Sequence, residues 1–303
     1  MPELLSICIP TYNRAAYLTD LLESLAREHA ADPWGEEVVV HVSDNASTDS
    51  TPAVVAAYAA RLPLRALRNP TNIGGERNFA RLIDLTEGAY FWLLGDDETV
   101  AAGSLAGLRA LLRARQHGLV LLPSVRTGAD GRLVAQPYTR HPSEAAAAAP
   151  MTAETFPDYA AYVERHHGAN PFALIGHSLI SYNIIRRDCF DRDLLRRTLG
   201  SEDVHYAHMF GLVGGLRHTG ASVHLLASPV VVVREERAPV AASRLLIRRT
   251  WSRYLRWLGR EFQQPGLVRY GRSLFRPTDR LNFLLRRLTG RLPPGWGRPR
   301  ADD

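Results

Sequence analysis

The sequence predicts an α/β protein: a mostly parallel sheet flanked by helices, followed by a basic helical extension. Three observations carry that prediction. Apolar runs alternate with helical repeats over the first hundred residues, a polar segment follows each of several apolar runs, and the charge balance changes sign near residue 243.

Leu4–Ile9 ("LLSICI") has the composition of a buried strand, and Tyr17, Leu18, Leu21, Leu22 and Leu25 then recur at helical spacing. Val38–Val42 ("VVVHV") predicts a second strand. The run "STPAVVAAYAARL" starts a helix, with Ser50 or Thr51 as cap and Pro52 in the first turn. "LPLRAL" is a weaker third strand. Phe79, Leu82 and Ile83 mark a helix, and Ala89–Leu94 a fourth strand. Strands separated by helices imply βαβ units, whose ligands bind beyond the carboxyl ends of the strands. Pro10–Arg14, Ser43–Asp49 and Gly95–Glu98 all follow strands, so they are expected to converge on one sheet edge.

Further on, Ala102–His117 is expected to be helical, Leu119–Pro123 a strand and "RTGADGRLV" a hairpin. His141–Pro150 is a low-complexity loop, expected to be mobile. Tyr159–His166 is expected to be helical and His177–Ile185 a strand. "SEDVHYAHMFGLV" opens a helix with Ser201 as cap and two acids in its first turn. "SVHLLASPVVVV" gives another strand or pair. Residues 1–242 thus form one domain, with a first half to residue 100 and a second from 101, and 243–303 an extension.

The 303 residues are 46% hydrophobic and 22% charged, as in soluble globular proteins. No apolar run has the length of a membrane span and the start is unlike a signal peptide. Two cysteines, Cys8 and Cys189, make no disulfide framework, so a cytoplasmic location is expected. All 37 basic residues are arginine. Residues 243–303 hold 15 Arg against 4 acids, a balance of +11 in a chain of net +6. There "SRLLIRRTWSRYLRWLGREF" interleaves Arg with Trp251, Tyr254, Leu255, Trp257 and Leu258. This pattern suits a peripheral membrane surface or a packed helix with an exposed arginine face; no nucleic-acid motif accompanies it. No nucleophile elbow and no Cys/His zinc spacing occurs.

"YFWLLGDDE" (Tyr90–Glu98) runs an apolar strand into three consecutive acids. Like charges at that spacing must stay hydrated or meet a cation. In order, "SICIPTYNR", "VSDNASTDST", "NIGGERNFA" and "YFWLLGDDE" resemble the N-terminal half of a family 2 glycosyltransferase with the Rossmann-like GT-A fold. The wording is similar to the bacterial O-antigen group that includes abequosyltransferases. The resemblance implies a nucleotide-sugar donor, a hydroxyl acceptor, Mg²⁺ or Mn²⁺, and inverting transfer. It implies that Asp44 accepts from the base N–H, with Pro10 and Tyr12 against the nucleoside; the alternative for Asp44 is an Asx turn. Arg77 would contact base or phosphate at a helix start.

Aligned to the family's D-x-D-D signature, Gly95 takes the first Asp position, Asp97 the metal-ligating one and Asp96 a place near the ribose. A shift of one place would instead pair Asp96 with Glu98. The family's "ED" pair matches Glu202–Asp203, making Asp203 the candidate general base. The competing reading has both acids complementing a helix dipole. His205 and His208 are further candidates near the acceptor, and His177 and His224 for a metal shell, without support from spacing. A nucleotidyltransferase, or a nucleotide-sugar-binding protein impaired in catalysis by the Gly95 departure, are the alternatives.

Overall fold

The computed structural model describes residues 3–127, 133–135, 153–167, 180–199, 206–234 and 244–274. Its main sheet has eight strands: β1 (Leu5–Thr11), β2 (Val38–Asp44), β3 (Leu64–Arg68), β4 (Tyr90–Leu93), β6 (Leu119–Leu121), β9 (Glu154–Phe156), β10 (Asn183–Arg186) and β11 (Val223–Leu225). They lie in the order β3-β2-β1-β4-β10-β6-β11-β9. Strands β3, β2, β1 and β4 are parallel, and β10 runs antiparallel between β4 and β6. The chain leaves β1 toward β2 and returns on its other side as β4. The β1/β4 boundary is therefore a topological switch point, where an open α/β sheet leaves a crevice for a ligand.

Alternation explains why β1 and β4 lack a polar face. Leu5, Ile7 and Ile9 of β1 and Tyr90 and Trp92 of β4 join one core, while Cys8, Phe91 and Leu93 join another on the opposite side. The first core is covered by α1 (Ala15–Ala31), α2 (Thr51–Ala59) and α4 (Ser104–Arg113), with Leu18, Leu21, Leu22 and Leu25 of α1 buried and Tyr17 exposed. The second lies beneath α3 (Gly75–Leu85), α5 (Tyr159–His167), α6 (Arg192–Leu199) and α7 (Ala207–Thr219). The buried Trp92 indole donates to the Ser181 carbonyl at 2.8 Å, so its polar edge is satisfied.

Three differences from the sequence expectations have physical causes, while the expected hairpin is present. Only the last acid leaves the turn: Asp96 and Asp97 stay in it, while Glu98–Val100 forms β5, paired antiparallel with β12 (Val231–Arg234) in a second sheet that also holds β7 (Ser124–Thr127) and β8 (Leu133–Ala135), in the order β5-β12-β7-β8. "SVHLLASPVVVV" therefore serves two sheets, β11 in one and β12 in the other. The expected strand from His177 is shorter, because a 3₁₀ turn occupies Ile180–Tyr182 before β10. The helix expected to run on from Ser201 is not continuous: α7 starts at Ala207, and Tyr206 before it adopts a left-handed conformation (φ 56°) that cannot continue a helix. The hairpin appears as antiparallel β7 (Ser124–Thr127) and β8 (Leu133–Ala135). His141–Pro150 and Ser201 lie outside the described residues.

The basic extension carries α8 (Arg244–Glu261) and α9 (Pro265–Leu274), which pack against each other. Tyr254, Leu255, Leu258 and Leu267 are buried in the second core. Trp257 lies 4.8 Å from Phe210 and Trp251 6.1 Å from Tyr206, ring centre to ring centre. The aromatic residues of the stripe thus face the protein. No described helix is long and apolar enough to cross a membrane.

Candidate active site

The site begins where β1 and β2 end together, Thr11 in register with Asp44. The Asn45 amide donates to the Thr11 carbonyl at 2.9 Å. Asn13 turns the chain with φ 52°, a left-handed conformation that asparagine tolerates. Its amide donates to Ser47 Oγ at 2.8 Å, and its side-chain oxygen accepts from the Thr48 amide at 2.7 Å. Asp49 accepts from the Ala15 amide at 3.0 Å. The two loops are stitched into one wall. Pro10 is buried in it, and Tyr12, 42% exposed, stands at the mouth.

Asp44 divides its carboxylate. Oδ1 accepts from the Ser47 amide at 2.8 Å, the local turn bond that sequence reasoning held as the alternative. Oδ2 is buried, 3.3 Å from Arg68 Nη1 but without a hydrogen bond. A buried acceptor in that condition is ready for an incoming N–H donor.

An asparagine network that sequence reasoning missed holds the next wall. Asn45 Oδ1 accepts from the Ile73 amide at 3.0 Å and from Asn69 Nδ2 at 2.9 Å, and Asn45 Nδ2 donates to Asn72 Oδ1 at 2.7 Å. Asn78 of α3 donates to the Ser43 carbonyl at 3.0 Å. The signal available was an Asn after each of the first three strands and again in "PTNIGGERN". Gly74, at φ 84°, makes the turn that α3 needs to start at Gly75. Arg77 falls in the first turn of α3, exposed, with no carboxylate at ion-pair distance among the described residues.

Across the crevice, Arg14 Nη1 lies 3.0 Å from Asp96 Oδ1 and 3.4 Å from Asp97 Oδ2. Burial raises the Asp96 carboxyl above the usual carboxylate range, and Arg14 offsets only part of that effect. Gly95 explains the departure from the D-x-D-D pattern. A Cβ there would lie 3.1 Å from Asp97 Oδ1 and 3.4 Å from both Glu98 Oε2 and Ser181 Oγ. An aspartate in that place would press a further carboxylate on two others. Asp97 and Glu98 oxygens both approach this point, so the donor set is oxygen only and suits a hard cation. No three described His, Cys, Asp or Glu side chains form a ready-made cage. Such a cage is not required, because Mg²⁺ typically binds through one or two carboxylates with substrate phosphates.

The second half reaches this region through Glu76. Its Oε1 accepts from the Tyr206 amide at 2.9 Å and its Oε2 from the Ala207 amide at 3.3 Å, closing the start of α7. Glu202, Asp203, His205 and His177 lie outside the described residues. His208 is buried in α7. His224 does not join the acids: it is on β11, three strands from β4, stacked on His117 at 4.6 Å.

Residues 6–180 match the model of Glycosyl transferase family 2. The chain is 28% identical to the abequosyltransferase RfbV of Salmonella typhimurium over 236 residues, 76% of this chain and 66% of that protein. It is 34% identical over 134 residues to the poly(ribitol-phosphate) beta-N-acetylglucosaminyltransferase TarS of Staphylococcus aureus, spanning 43% of this chain and 22% of that one. The alignments therefore span just under two thirds and under a quarter of these relatives. Residues 1–349 of S. aureus TarS, solved with UDP-GlcNAc, superpose with a TM-score of 0.54 at 19% identity, over 83% of this chain and 66% of that one. A mannosyltransferase of Pyrobaculum calidifontis, solved with GDP-Man and Mn²⁺, gives 0.55 at 18% identity over 97% and 79%. The fold is GT-A. With more than half of its length matched by the family model, the chain belongs to glycosyl transferase family 2.

Proposed function

We propose that this glycosyltransferase moves a sugar from a nucleoside-diphosphate sugar to a hydroxyl acceptor with inversion at the anomeric carbon. The observation that carries the reading is the meeting of strand ends at the β1/β4 switch point, where β2 ends in Asp44 with an unsatisfied buried oxygen and the segment after β4 presents the Arg14-bridged acids. In this reading Asp44 accepts from the base, Pro10 and Tyr12 pack on the nucleoside, and Arg77 meets base or phosphate. Asp96 lies near the ribose. Asp97 holds Mg²⁺ or Mn²⁺, with Glu98 beside it. A divalent cation there supplies positive charge to the diphosphate as it leaves. Asp203 takes the acceptor hydroxyl proton while the oxygen attacks C1 from the face opposite the leaving group.

Two titrations test the donor and the reaction. Thermal shifts with UDP, GDP, CDP and dTDP, each with and without Mn²⁺, identify the base and the metal requirement. Release of a free nucleoside diphosphate during turnover supports glycosyl transfer, and release of pyrophosphate would assign nucleotidyl transfer instead. Donor binding without turnover across a wide acceptor panel would favour the binding protein impaired in catalysis. The acceptor we favour is a lipid-linked glycan or a small-molecule natural product, reached from the cytoplasmic side. With the tail's aromatics packed inward, any membrane attraction would rest on its arginines, about 1 kcal/mol for each near an anionic surface. Flotation with anionic vesicles across a salt series checks this.

A further inference from the structure

The opposite edge of the main sheet carries a feature that the proposed reaction does not use. A groove of about 950 Å³ opens at the amino end of β4, lined by Ala89, Phe190, three aspartates (Asp188, Asp191 and Asp193) and five arginines: Arg115, Arg186, Arg187, Arg192 and Arg196. The candidate site lies beyond the carboxyl end of the same strand, so about 20 Å of extended chain separates the two. The arginines come from three places: the end of α4, the β10 exit and α6.

Their partners are unevenly shared. Arg186 Nε lies 2.6 Å from Asp188 Oδ1, and Arg196 reaches Asp84 at 3.1 Å and Asp193 at 3.2 Å. Asp191 is occupied by the α6 start, where it accepts from the Leu194 amide at 2.7 Å. Arg192 donates to the Ile83 carbonyl at 3.0 Å, and its nearest carboxylate oxygen, on Asp84, is 3.9 Å away. Among the described residues, neither Arg115 nor Arg187 has a carboxylate within ion-pair distance. Burial first, then the neighbouring Arg187, push the Arg192 guanidinium below its usual value. Like charges therefore crowd here without full compensation. Arg115 is also held at φ 52°, an unusual conformation for arginine, at the end of α4.

We propose that this groove is a second anion site, taking a phosphate or diphosphate group between Arg115, Arg187 and Arg192. The planar guanidinium fork matches phosphate oxygens bidentately, and an incoming anion relieves the repulsion between Arg187 and Arg192. The group can belong to a soluble phosphate or to a lipid headgroup, and the two differ in what they carry into the groove.

Calorimetric titration of the full chain with inorganic pyrophosphate, without divalent metal, tests the site. Binding is expected in the wild type and in Arg77→Ala, and weakened tenfold or more in Arg187→Glu and in the more exposed Arg115→Glu. Both groove variants should keep wild-type melting temperatures. Flotation with phosphatidylglycerol vesicles then separates the sources. Loss of flotation in the groove variants assigns a lipid headgroup; unchanged flotation beside lost pyrophosphate binding assigns a soluble ligand. Pyrophosphate binding that disappears in Arg77→Ala and persists in both groove variants overturns the proposal, as does no binding in the wild type.

Discussion

Arg14 bridges Asp96 and Asp97, its Nη1 3.0 Å from one carboxylate and 3.4 Å from the other. A guanidinium thus places positive charge against both carboxylates. The acids at the end of β4 are held together by a cation from the end of β1.

Asp97→Ala should abolish transfer, with a loss on the order of 10²-fold or more, because a positioned electrostatic partner of the leaving group is removed. Metal-dependent donor binding should weaken in parallel. A variant with the wild-type rate and metal dependence would move the ligand role to Asp96 and Glu98.

Asp96→Asn should separate stability from activity. The Asp96 carboxyl is raised by burial, so the folded state holds its proton more tightly than the unfolded chain. Its contribution to stability therefore falls as pH rises from the unfolded value through the folded one, and stays low at neutral pH. The amide removes that penalty. We expect a melting temperature at pH 7 equal to or above wild type, a flatter pH profile, and reduced transfer. A clear drop in melting temperature would show that the Arg14 bridge outweighs burial.

Glu37 provides the opposite sign. Arg113 donates to its two oxygens at 2.6 Å and 2.8 Å and holds its carboxyl below the usual range. That contribution is present above the unfolded value and is lost as pH falls through the folded one. Arg113→Gln should reduce stability near neutral pH and leave little difference from wild type in strong acid. Denaturant midpoints across the pH range measure it.

Asp203→Asn should lower kcat by about 10²–10⁴, the range for loss of a general base, with donor affinity nearly unchanged. Near-normal turnover would direct attention to Glu202 or His205.

Gly215→Ala tests how closely α7 packs. A Cβ there would lie 2.2 Å from the Cys189 carbonyl oxygen, which is backbone and cannot swing aside. We expect destabilisation of about 1–3 kcal/mol, the usual scale of overpacking, read as a shift in the urea midpoint.

The parallel half of the fold was legible because β1, β2 and β4 are buried on both faces and its helices repeat cleanly. Leu18, Leu21, Leu22 and Leu25 needed no tertiary information. Residues 98–100 were not legible, because the partner that makes them a strand is β12, more than 130 positions away. The start of α7 was misjudged because Tyr206 is left-handed, which composition does not announce. At the site, Asp44, Asp96 and Asp97 stood out as charges beside apolar runs. Asn45, Asn69, Asn72 and Asn78 did not, since an asparagine near a glycine is equally good turn chemistry. Arg14 was hidden for a different reason: its role depends on β1 and β4 being neighbours.

Glu76 closes the start of α7 from the same turn that presents Arg77. The two halves of the chain therefore share a latch. A ligand that tightened the Gly74–Arg77 turn would act, through Glu76, on the amides of residues 206 and 207, three and four positions after Asp203 in the sequence. Thermodynamic reciprocity then runs both ways: whatever factor the donor lends to acceptor affinity, the acceptor returns to the donor. One carboxylate outside the acid cluster thus ties the first turn of α3 to the start of α7.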